Sequence, residues 1–403
     1  MQLSGKKIIL SLSGGVACYK AAELCRLLVG SGASVHVVMT DAASHFITAV
    51  TMQALSGNPV YTSQWDPRVD NNMAHIDLTR GADAILIAPC SADFMSKLAH
   101  GVCDDLLSTL CLARPRQLPL LVAPAMNLEM WQNPATQRNR KQLAEDGILI
   151  LGPGAGAQAC GETGLGRMLE AQQLHDAMVA LFQPKVLAGK RVLITAGPTF
   201  EAIDPVRGIT NLSSGKMGYA LARAAQEAGA DVTLVSGPTA LNVPTGVRCI
   251  AVQSAQQMFD AVMANVESRH LFIAVAAVAD WRVVNASAQK MKKQPGGTPP
   301  ALQFAQNPDI LATVATKAKL AGAPYCVGFA AESENLVEYG ARKREKKDIP
   351  LLIGNIGHDT FGRDDNAVML FDEQGHSVLE RADKLTLARM LVAEIALRMA
   401  AKK

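Results

Sequence analysis

Three stretches in the first half of this sequence carry side chains that could take part in chemistry. QACGETGLGRM, residues 158–168, joins Cys160 to three glycines and could cradle a phosphate, present a redox thiol, form a mobile flap or simply connect two elements. PAMNLEMW, residues 124–131, presents the amide of Asn127, which could hold a carboxylate or cap a helix. His75, in a polar segment, could act as a base or be an ordinary surface residue.

The second half carries a different set. TAGPTFEAIDPVRGITNLSSGKMG, residues 195–218, is rich in Gly, Ser and Thr, and long connections of this kind are usually functional. Lys216 follows a glycine there, but Met217 breaks the spacing G-x-x-x-x-G-K-[ST], so the stretch is not a P-loop. The sequence therefore predicts a ligand site of another kind.

Charged side chains follow this stretch. Asp280 ends the apolar run in AAVADWR, and Lys290 opens KMKK. Lys343 and Lys347 are four residues apart, so one helix face would carry both. Such lysines form either a solvated face or, with an acid at a strand end, a site for a nucleoside triphosphate and a metal.

The elements that position these residues are predicted by short apolar runs that alternate with helix-length segments. This alternation is typical of parallel sheets covered by helices on both faces. The runs are 7–13, 35–39, 84–88, 119–123 and 148–151 in the first half, and 192–196, 231–236, 271–279, 325–330 and 351–355 in the second, before a hairpin near 367–380. The predicted fold class is α/β, with two Rossmann-like or flavodoxin-like domains.

The domain division follows from length and from an internal recurrence. A chain of 403 residues is long enough for two hydrophobic cores. GKKIILSLSGG at the start recurs as GKRVLITAGPT at 189–199, so each half begins with a strand that enters a glycine turn, and the N-terminal copy is not a signal peptide. We expect domains at 1–183 and 191–403, joined by a linker at 184–190.

Composition limits the classes of partner. A formal net charge of +3 is too weak to indicate a nucleic-acid or membrane surface, and no apolar run approaches the ~18 residues that span a bilayer. The eight cysteines form no CxxC pair, which favours reduced thiols and a cytoplasmic location. Small-molecule substrates are therefore expected.

Ligands of open parallel sheets bind at the carboxyl ends of the strands. The first strand ends at Ser13-Gly14-Gly15, which could bind a phosphate or form a plain tight turn. Ser91, in PCSADF, could contact a ligand or cap the next helix. The fingerprint GxGxxG is missing, which argues against NAD.

In this order, the SGG turn, His75, PCSADF, PAMNLEMW and ACGETGLGRM resemble the homo-oligomeric flavin-containing cysteine decarboxylases, over roughly residues 5 to 180. Cys90 stands where that family usually has alanine, and Asp104 where it commonly has asparagine. The resemblance implies FMN as cofactor. The residues it places around FMN are Ser13, Gly14, Gly15, Thr40, Ser91 and Ala92.

The resemblance also implies a reaction. Direct loss of CO₂ from an aminoacyl cysteine would leave an unstabilised carbanion, whereas oxidation of the CH₂SH group to a thioaldehyde, with FMN as electron acceptor, supplies an electron sink. The enethiol that results is then reduced and protonated. Cys160 is implied as the acid, His75 as the group that assists thiol oxidation, and Asn127 as the holder of the substrate carboxylate.

From about residue 190 to 400 the sequence resembles the phosphopantothenate–cysteine ligase family, through GPTFEAIDPVRGITNLSSGKMG and AAVADWR followed by KMKK. Trp281 stands where tyrosine is frequent. The family implies CTP, Mg²⁺ and an acyl-cytidylate, with Asn211 at the acyl-cytidylate and Lys290 on the triphosphate. The other residues implied around CTP are Ala276, Asp280, Pro308, Asp309, Ile310, Leu311, Phe329, Lys343 and Lys347. The metal ligands stay unassigned.

The two resemblances fit one reaction sequence, because the product of the second half is the substrate of the first. They imply a bifunctional enzyme that converts 4′-phosphopantothenate to 4′-phosphopantetheine in coenzyme A biosynthesis. Trimers of one family and dimers of the other imply a closed homo-oligomer, a dodecamer. The alternatives are a flavin-binding regulatory or scaffold protein without turnover, a flavin prenyltransferase and an NAD-type oxidoreductase.

Overall fold

A computed structural model describes residues 2–65, 73–159, 161–292, 301–332, 334–356 and 363–401 of the chain. Its contacts divide it into two compact units, with the division between Phe182 and Gln183. Each unit has its own sheet and its own hydrophobic core, and each is described here by itself.

The first unit is built on a sheet of six parallel strands in the order β3-β2-β1-β4-β5-β6. These strands are β1 Lys7–Leu12, β2 Ser34–Met39, β3 Val60–Tyr61, β4 Ala84–Cys90, β5 Leu120–Pro124 and β6 Leu149–Ile150. A separate antiparallel hairpin consists of β7 Gly154–Ala157 and β8 Thr163–Arg167. The helices are α1 Cys18–Gly30, α2 Asp41–Ser44, α3 Ala49–Ser56, α4 Ala74–Thr79, α5 Ala92–His100, α6 Leu106–Ala113, α7 Leu128–Gln132, α8 Pro134–Glu145 and α9 Ala171–Leu181.

The core of this unit lies on both faces of the sheet. Successive side chains of a strand point to opposite faces. In the central strand β1, Ile8 and Leu10 pack with α1 and α9, whereas Ile9 packs with the cluster that contains Phe94 and Leu110 from α5 and α6. The prediction of a parallel sheet covered by helices on both faces is thus confirmed.

The second unit repeats this plan and extends it. Its eight-stranded sheet has the order β13-β12-β9-β14-β17-β18-β19-β20, with β19 and β20 antiparallel. The strands are β9 Arg191–Ala196, β12 Asp231–Ser236, β13 Arg248–Ala251, β14 Leu271–Ala274, β17 Tyr325–Glu332, β18 Leu351–Ile356, β19 Asp365–Asp372 and β20 Gly375–Asp383. Two small antiparallel pairs join β10 Phe200–Ala202 to β11 Gly208–Thr210, and β15 Trp281–Val283 to β16 Phe304–Gln306. The helices are α10 Lys216–Glu227, α11 Ala255–Met263, α12 Ile310–Ala321, α13 Leu336–Lys347 and α14 Lys384–Ala401.

Helices again cover both faces of this second sheet. Helices α10 and α14 pack on one face, with Leu221 and Leu391 in their core. Helices α11, α12 and α13 pack on the other face, around Met258 and Val314. The two strands with the recurring sequence, β1 and β9, occupy the equivalent central position in the two sheets.

Two sequence-based expectations need correction. The apolar run 271–279 is a strand only as far as Ala274, after which the N–H of Ala276 donates to the hydroxyl oxygen of Thr195 at 3.3 Å. The stretch QACGETGLGRM showed no strand pattern, yet Thr163–Arg167 forms β8. Its glycines hide the strand from pattern analysis, since they carry no side chain that could alternate.

Within the described ranges, no helix is both long and apolar enough to cross a membrane.

Candidate active sites

The carboxyl ends of β1, β2 and β4 surround the first candidate site, which we name cavity A. Its volume is about 670 Å³, within the range of small-molecule sites. Five of the six residues predicted to contact FMN line it: Ser13, Gly14, Thr40, Ser91 and Ala92. The sixth, Gly15, lines a second cavity described below.

Ser13 ties two of these strand ends together. Its backbone N–H and its hydroxyl both donate to the carbonyl of Pro89, at 3.1 and 2.9 Å, and its Oγ accepts from the backbone N–H of Ser91 at 2.8 Å. The side chain is buried, and these bonds occupy it. Ser13 therefore shapes cavity A by holding the turn after β1 against the turn after β4.

Gly14 lies where the first and second strand ends approach each other. A Cβ atom at Gly14 would come within 2.6 Å of the Cβ of Ala42, whereas one at Gly15 would meet nothing within 4 Å. Thr40 and Ser91 cap α2 and α5, accepting from the N–H groups of Ala43 and Phe94, both at 3.2 Å. The capping interpretation of Ser91 is confirmed, and its helix still presents a positive N-terminal end to the cavity.

A second cavity of about 560 Å³, cavity B, lies between the start of α1, the end of β5 and the β7–β8 hairpin. Asn127 lines it. The Oδ1 atom of Asn127 caps α7 by accepting from the N–H of Met130 at 2.9 Å. The amide N–H₂ group of the same side chain is a donor, as a carboxylate ligand requires.

The β7–β8 hairpin is held against the loop that carries Asn127. The backbone N–H of Met126 donates to the carbonyl of Gly166 at 2.9 Å, and that of Leu128 donates to the side chain of Gln158 at 2.9 Å. Gly166 has a φ of +140°, and a Cβ there would lie 2.4 Å from the carbonyl oxygen of Met126. Ala159 lines cavity B; the adjacent Cys160 lies outside the described residues.

His75 is not brought into either cavity. It lies in the first turn of α4, a helix that packs against α6. No described residue of α4 lines cavity A or cavity B.

The two departures from the decarboxylase pattern have different surroundings. Cys90 is fully buried in β4, and this burial, with the neighbouring Cys111, raises the pKa of its thiol. Asp104 lies 2.9 Å from the ammonium group of Lys97, which lines cavity A. Hydrogen bonding to Lys97 lowers the pKa of Asp104, so an anion replaces the neutral amide that the family commonly has there.

The second unit contains a cavity of about 530 Å³, cavity C, at the carboxyl ends of β9, β14, β17 and β18. It includes the start of α10, where Gly215 has a φ of +76° and no side chain caps the helix. Five of the predicted residues line it: Asn211, Ala276, Asp280, Phe329 and Lys343. Chain segments far apart in sequence thus meet at one site.

The other predicted residues do not line cavity C: Lys290, Pro308, Asp309, Ile310, Leu311 and Lys347. Asp309 caps α12 and forms an ion pair with Lys347. Burial by itself would raise the pKa of Asp309. The ion pair with Lys347 and the hydrogen bond from the N–H of Ala312 outweigh burial, so the pKa of Asp309 is lowered. Ile310 packs in the core.

Lys290 is exposed and lies next to Met291, which residues of the glycine-rich stretch 195–218 hold in place. The N–H of the adjacent Met291 donates to Asp204 at 3.2 Å, and Arg207 donates to the carbonyl of Met291 at 3.0 Å. Asp204 also accepts from Arg207, whose ion pair holds the pKa of that carboxyl well below its usual range. These hydrogen bonds join the segment IDPVR, residues 203–207, to the start of KMKK at residues 290–291.

Sequence reasoning missed three residues at cavity C. Lys384 and Asn366 line it, and Asp364 lies 2.6 Å from Lys216, which also lines it. Burial and the nearby Lys216 lower the pKa of Lys384. No motif marks these residues, because antiparallel β19 and the start of α14 bring them to the site only in the folded chain.

Cavity C is cationic, which gives it a chemical preference. Three lysines line it (Lys216, Lys343 and Lys384), against the two carboxylates of Asp280 and Glu332. With the uncapped start of α10, these groups suit an anionic ligand such as a polyphosphate. Among the described residues, no group of three or more His, Cys, Asp or Glu is arranged to hold a metal.

Family models match both units. Residues 1–183 match the model described as Flavoprotein, and residues 187–399 match that of the DNA/pantothenate metabolism flavoprotein C-terminal domain. The fold and the sites thus define a flavoprotein unit joined to a unit of pantothenate metabolism.

Full-length relatives narrow this class. The chain is 49% identical over 396 residues to the coenzyme A biosynthesis bifunctional protein CoaBC of Vibrio vulnificus (strain CMCP6), covering 98% of each. It is 46% identical over 403 residues to that of Escherichia coli (strain K12), covering 99% of this chain and 98% of the relative. For Bacillus subtilis (strain 168) the identity is 40% over 402 residues, covering 98% and 97%. The chain belongs to the CoaBC family of bifunctional enzymes of coenzyme A biosynthesis.

Proposed function

We propose that the second unit joins cysteine to 4′-phosphopantothenate with CTP, and that the first unit converts the product to 4′-phosphopantetheine with FMN. Cavity C is the observation that carries the proposal. Its lining combines three lysines and the uncapped start of α10 with Asn211, the residue predicted to contact the acyl-cytidylate. Cavities A and B, in the first unit, supply a separate site for the flavin and the thiol substrate.

In the ligation, the residues of cavity C hold anionic groups close to one another. Lys216, Lys343 and Lys384 neutralise phosphates, and Asn211 contacts the acyl-cytidylate. Asp280 is the cavity carboxylate suited to share Mg²⁺ with the phosphates, since Mg²⁺ is commonly held by one or two carboxylates and substrate phosphates. Lys290 contacts the triphosphate, and Lys347 makes a further contact with CTP.

The residues of cavity A fit FMN. The close approach of Ala42 to Gly14 holds the ends of β1 and β2 together around the cavity, and the helix that follows Ser91 favours a phosphate. FMN, when bound, supplies the two-electron oxidation that turns the β-carbon thiol into an electron sink. Asn127 donates its amide to the substrate carboxylate in cavity B. Cys160 is the acid of the final step.

We infer a homo-oligomer, a dodecamer built from trimers and dimers. His75 lines neither cavity A nor cavity B of its own chain, and this supports a decarboxylase site to which a second copy contributes this residue. We also expect a cytoplasmic location, where the precursors of coenzyme A are used.

One incubation tests both activities. The purified chain is mixed with 4′-phosphopantothenate, cysteine, CTP and Mg²⁺, and the products are identified by mass spectrometry. Release of pyrophosphate and formation of phosphopantetheine are expected. A flavin-bound protein that forms neither product would instead be the regulatory or scaffold alternative.

Cys160→Ser tests the assignment within the first unit. Because Cys160 acts after CO₂ has left, this variant should still decarboxylate 4′-phosphopantothenoylcysteine and accumulate the oxidised enethiol. Loss of CO₂ release to the same extent as loss of final product would contradict the role. In the second unit, Lys290→Ala should suppress pyrophosphate release, whereas Asn211→Asp should impair ligation more than nucleotide binding.

A further inference from the structure

Two glycine turns meet in the wall of cavity C. Gly197 directly follows β9 and Gly215 directly precedes α10, and both residues line the cavity. Their φ angles are +74° and +76°. A Cβ atom at Gly215 would lie 3.3 Å from the Cα atom of Gly197. The backbone at the start of α10 is therefore packed against the turn after β9.

The side chain of Thr239 packs against both glycines. A Cβ atom at Gly197 would come within 2.9 Å of the Cγ2 methyl of Thr239, and one at Gly215 within 2.7 Å. Thr239 belongs to a third segment, three residues beyond the end of β12, and it is not among the described residues that line cavity C. One methyl group from outside the cavity lining thus contacts both glycine turns.

Three hydroxyl groups form a chain of hydrogen bonds that begins at Thr239. The hydroxyl of Thr239 donates to the phenolic oxygen of Tyr219 at 3.1 Å, and Tyr219 donates to the hydroxyl oxygen of Ser236 at 3.0 Å. Ser236 in turn donates to the carbonyl of Gly237 at 2.8 Å. Tyr219 lies in the first turn of α10 and Ser236 is the last residue of β12, and both are buried. The chain therefore joins the start of α10 to the end of β12.

The start of α10 is the part of cavity C that this network holds. The first N–H groups of an α-helix have no acceptor within the helix, and their positive partial charge favours a phosphate. Among the residues that the structure describes, no side chain caps α10. Lys216, the first residue of the helix, also lines the cavity. Backbone N–H groups cannot adjust as a flexible side chain can, so a shift of the helix start would weaken their contacts with a phosphate.

We propose that Tyr219 and Thr239 are positioning residues for the phosphate contacts of the ligation. Their hydroxyl groups fix the start of α10 relative to β12, and the methyl of Thr239 fixes it relative to the turn after β9. The inference rests on the ligation proposed above, in which CTP and 4′-phosphopantothenate both bring phosphate groups to cavity C. A loosened helix start should therefore weaken substrate binding more than it slows the reaction of bound substrate.

Removal of the hydroxyl groups in the full-length protein tests this role. Tyr219→Phe and Thr239→Val nearly keep the side-chain shape and should each raise the KM for a phosphate-bearing substrate about three- to tenfold, the effect of one lost buried hydrogen bond, with kcat within about twofold. A higher KM for CTP alone would assign the helix start to the triphosphate, and a higher KM for 4′-phosphopantothenate alone would assign it to the phosphate of that acid. Thr239→Ser keeps the hydroxyl and should raise the same KM less than Thr239→Val does.

Two further variants separate positioning from general stability, with pyrophosphate release as the assay. Because Tyr219 and Thr239 share one hydrogen bond, the double variant Tyr219→Phe/Thr239→Val should have a KM within about twofold of that of Tyr219→Phe alone. Thr316→Val removes an exposed hydroxyl that donates to the carbonyl of Ala312 within α12. This control should leave the KM of both substrates unchanged.

Three results would overturn the inference. Unchanged KM values for both substrates in Tyr219→Phe and Thr239→Val would show that the network does not position their phosphates. A fall in kcat and in Tm at an unchanged KM would leave only a role in stability, and KM effects that multiply in the double variant would show that the two hydroxyl groups act separately. A wild-type protein that releases no pyrophosphate would instead refute the proposed ligation itself, so the two failures are distinguishable.

Discussion

The ammonium group of Lys216 lies 2.6 Å from the carboxylate of Asp364, although 148 positions separate the two residues in the sequence. Lys216 begins α10 and lines cavity C, and hydrogen bonding to Lys216 lowers the pKa of Asp364. The Asp364 side chain is 90% exposed. The exposed carboxylate of Asp364 therefore forms an ion pair with Lys216, a lysine that the anionic substrates would also contact.

Asp364→Asn should strengthen substrate binding by removing this competitor. Because an exposed ion pair is weak, we expect the KM for CTP or 4′-phosphopantothenate to fall by no more than about fivefold. Steady-state kinetics at low and high salt measure this, and the gain should shrink at high salt. Asp365→Asn is the control, because Asp365 pairs with Arg363 and Arg381 instead. A higher KM in Asp364→Asn would show that Asp364 assists binding.

Gly14→Ala should release the flavin. The new Cβ would lie 2.6 Å from the Cβ of Ala42, and because that atom cannot rotate away, the strand ends around cavity A must shift. Overpacking of this kind costs about 1–3 kcal/mol, which, if it falls on the flavin-binding conformation, corresponds to about a fivefold to 150-fold loss of flavin affinity. Flavin absorbance after dialysis measures it. Gly30→Ala, at the end of α1 with nothing within 4 Å of the new Cβ, is the control and should keep its flavin. Equal flavin content in the two variants would place the cofactor elsewhere.

Gly166→Ala should abolish decarboxylation and spare ligation. Its φ of +140° disfavours any side chain, and the new Cβ would lie 2.4 Å from the carbonyl of Met126. The hairpin would separate from the loop that carries Asn127, at a cost of about 1–3 kcal/mol from backbone strain alone. Turnover of added 4′-phosphopantothenoylcysteine measures the effect. Gly161→Ala shares a positive φ but has open space, so it should lose less activity; comparable losses would mean that hairpin docking is unimportant.

Acid should remove the stabilising effect of Asp204. The ion pair with Arg207 and the surrounding N–H donors depress the pKa of this carboxyl in the folded state. Its contribution is therefore present above the ordinary aspartate pKa of about 3.9 and is lost as the pH falls below that value toward the folded-state pKa. Thermal unfolding of Asp204→Asn should show a lower Tm than the wild type at neutral pH and a smaller difference near pH ~3.

A matched exposed position controls for the loss of an aspartate. Asp260, in α11, accepts one hydrogen bond from Gln256 at 2.9 Å on the surface of the same unit. Asp260→Asn should leave the Tm nearly unchanged across the same pH range. A Tm difference for Asp204→Asn that is constant with pH would exclude an electrostatic origin.

The sequence by itself determined the strand–helix alternation, the two-unit organisation and the glycine turns after β1 and β9. These features depend on local periodicity and turn chemistry, which neighbouring residues encode. The predicted residues Gly14 and Ser91 meet at cavity A for the same reason, since each follows an apolar strand whose end lies at the ligand edge of the sheet.

Only the tertiary structure decided which side-chain atoms remain available. Capping occupies the oxygen of Asn127, ion pairing joins Asp309 to Lys347, and His75 lies outside the cavities of its own chain. Asn366 and Lys384 reach cavity C because antiparallel β19 begins at the ligand edge and β20 returns the chain to that edge. Hydrogen-bond satisfaction and strand order are properties of residues brought together from distant positions, so no local pattern could reveal them.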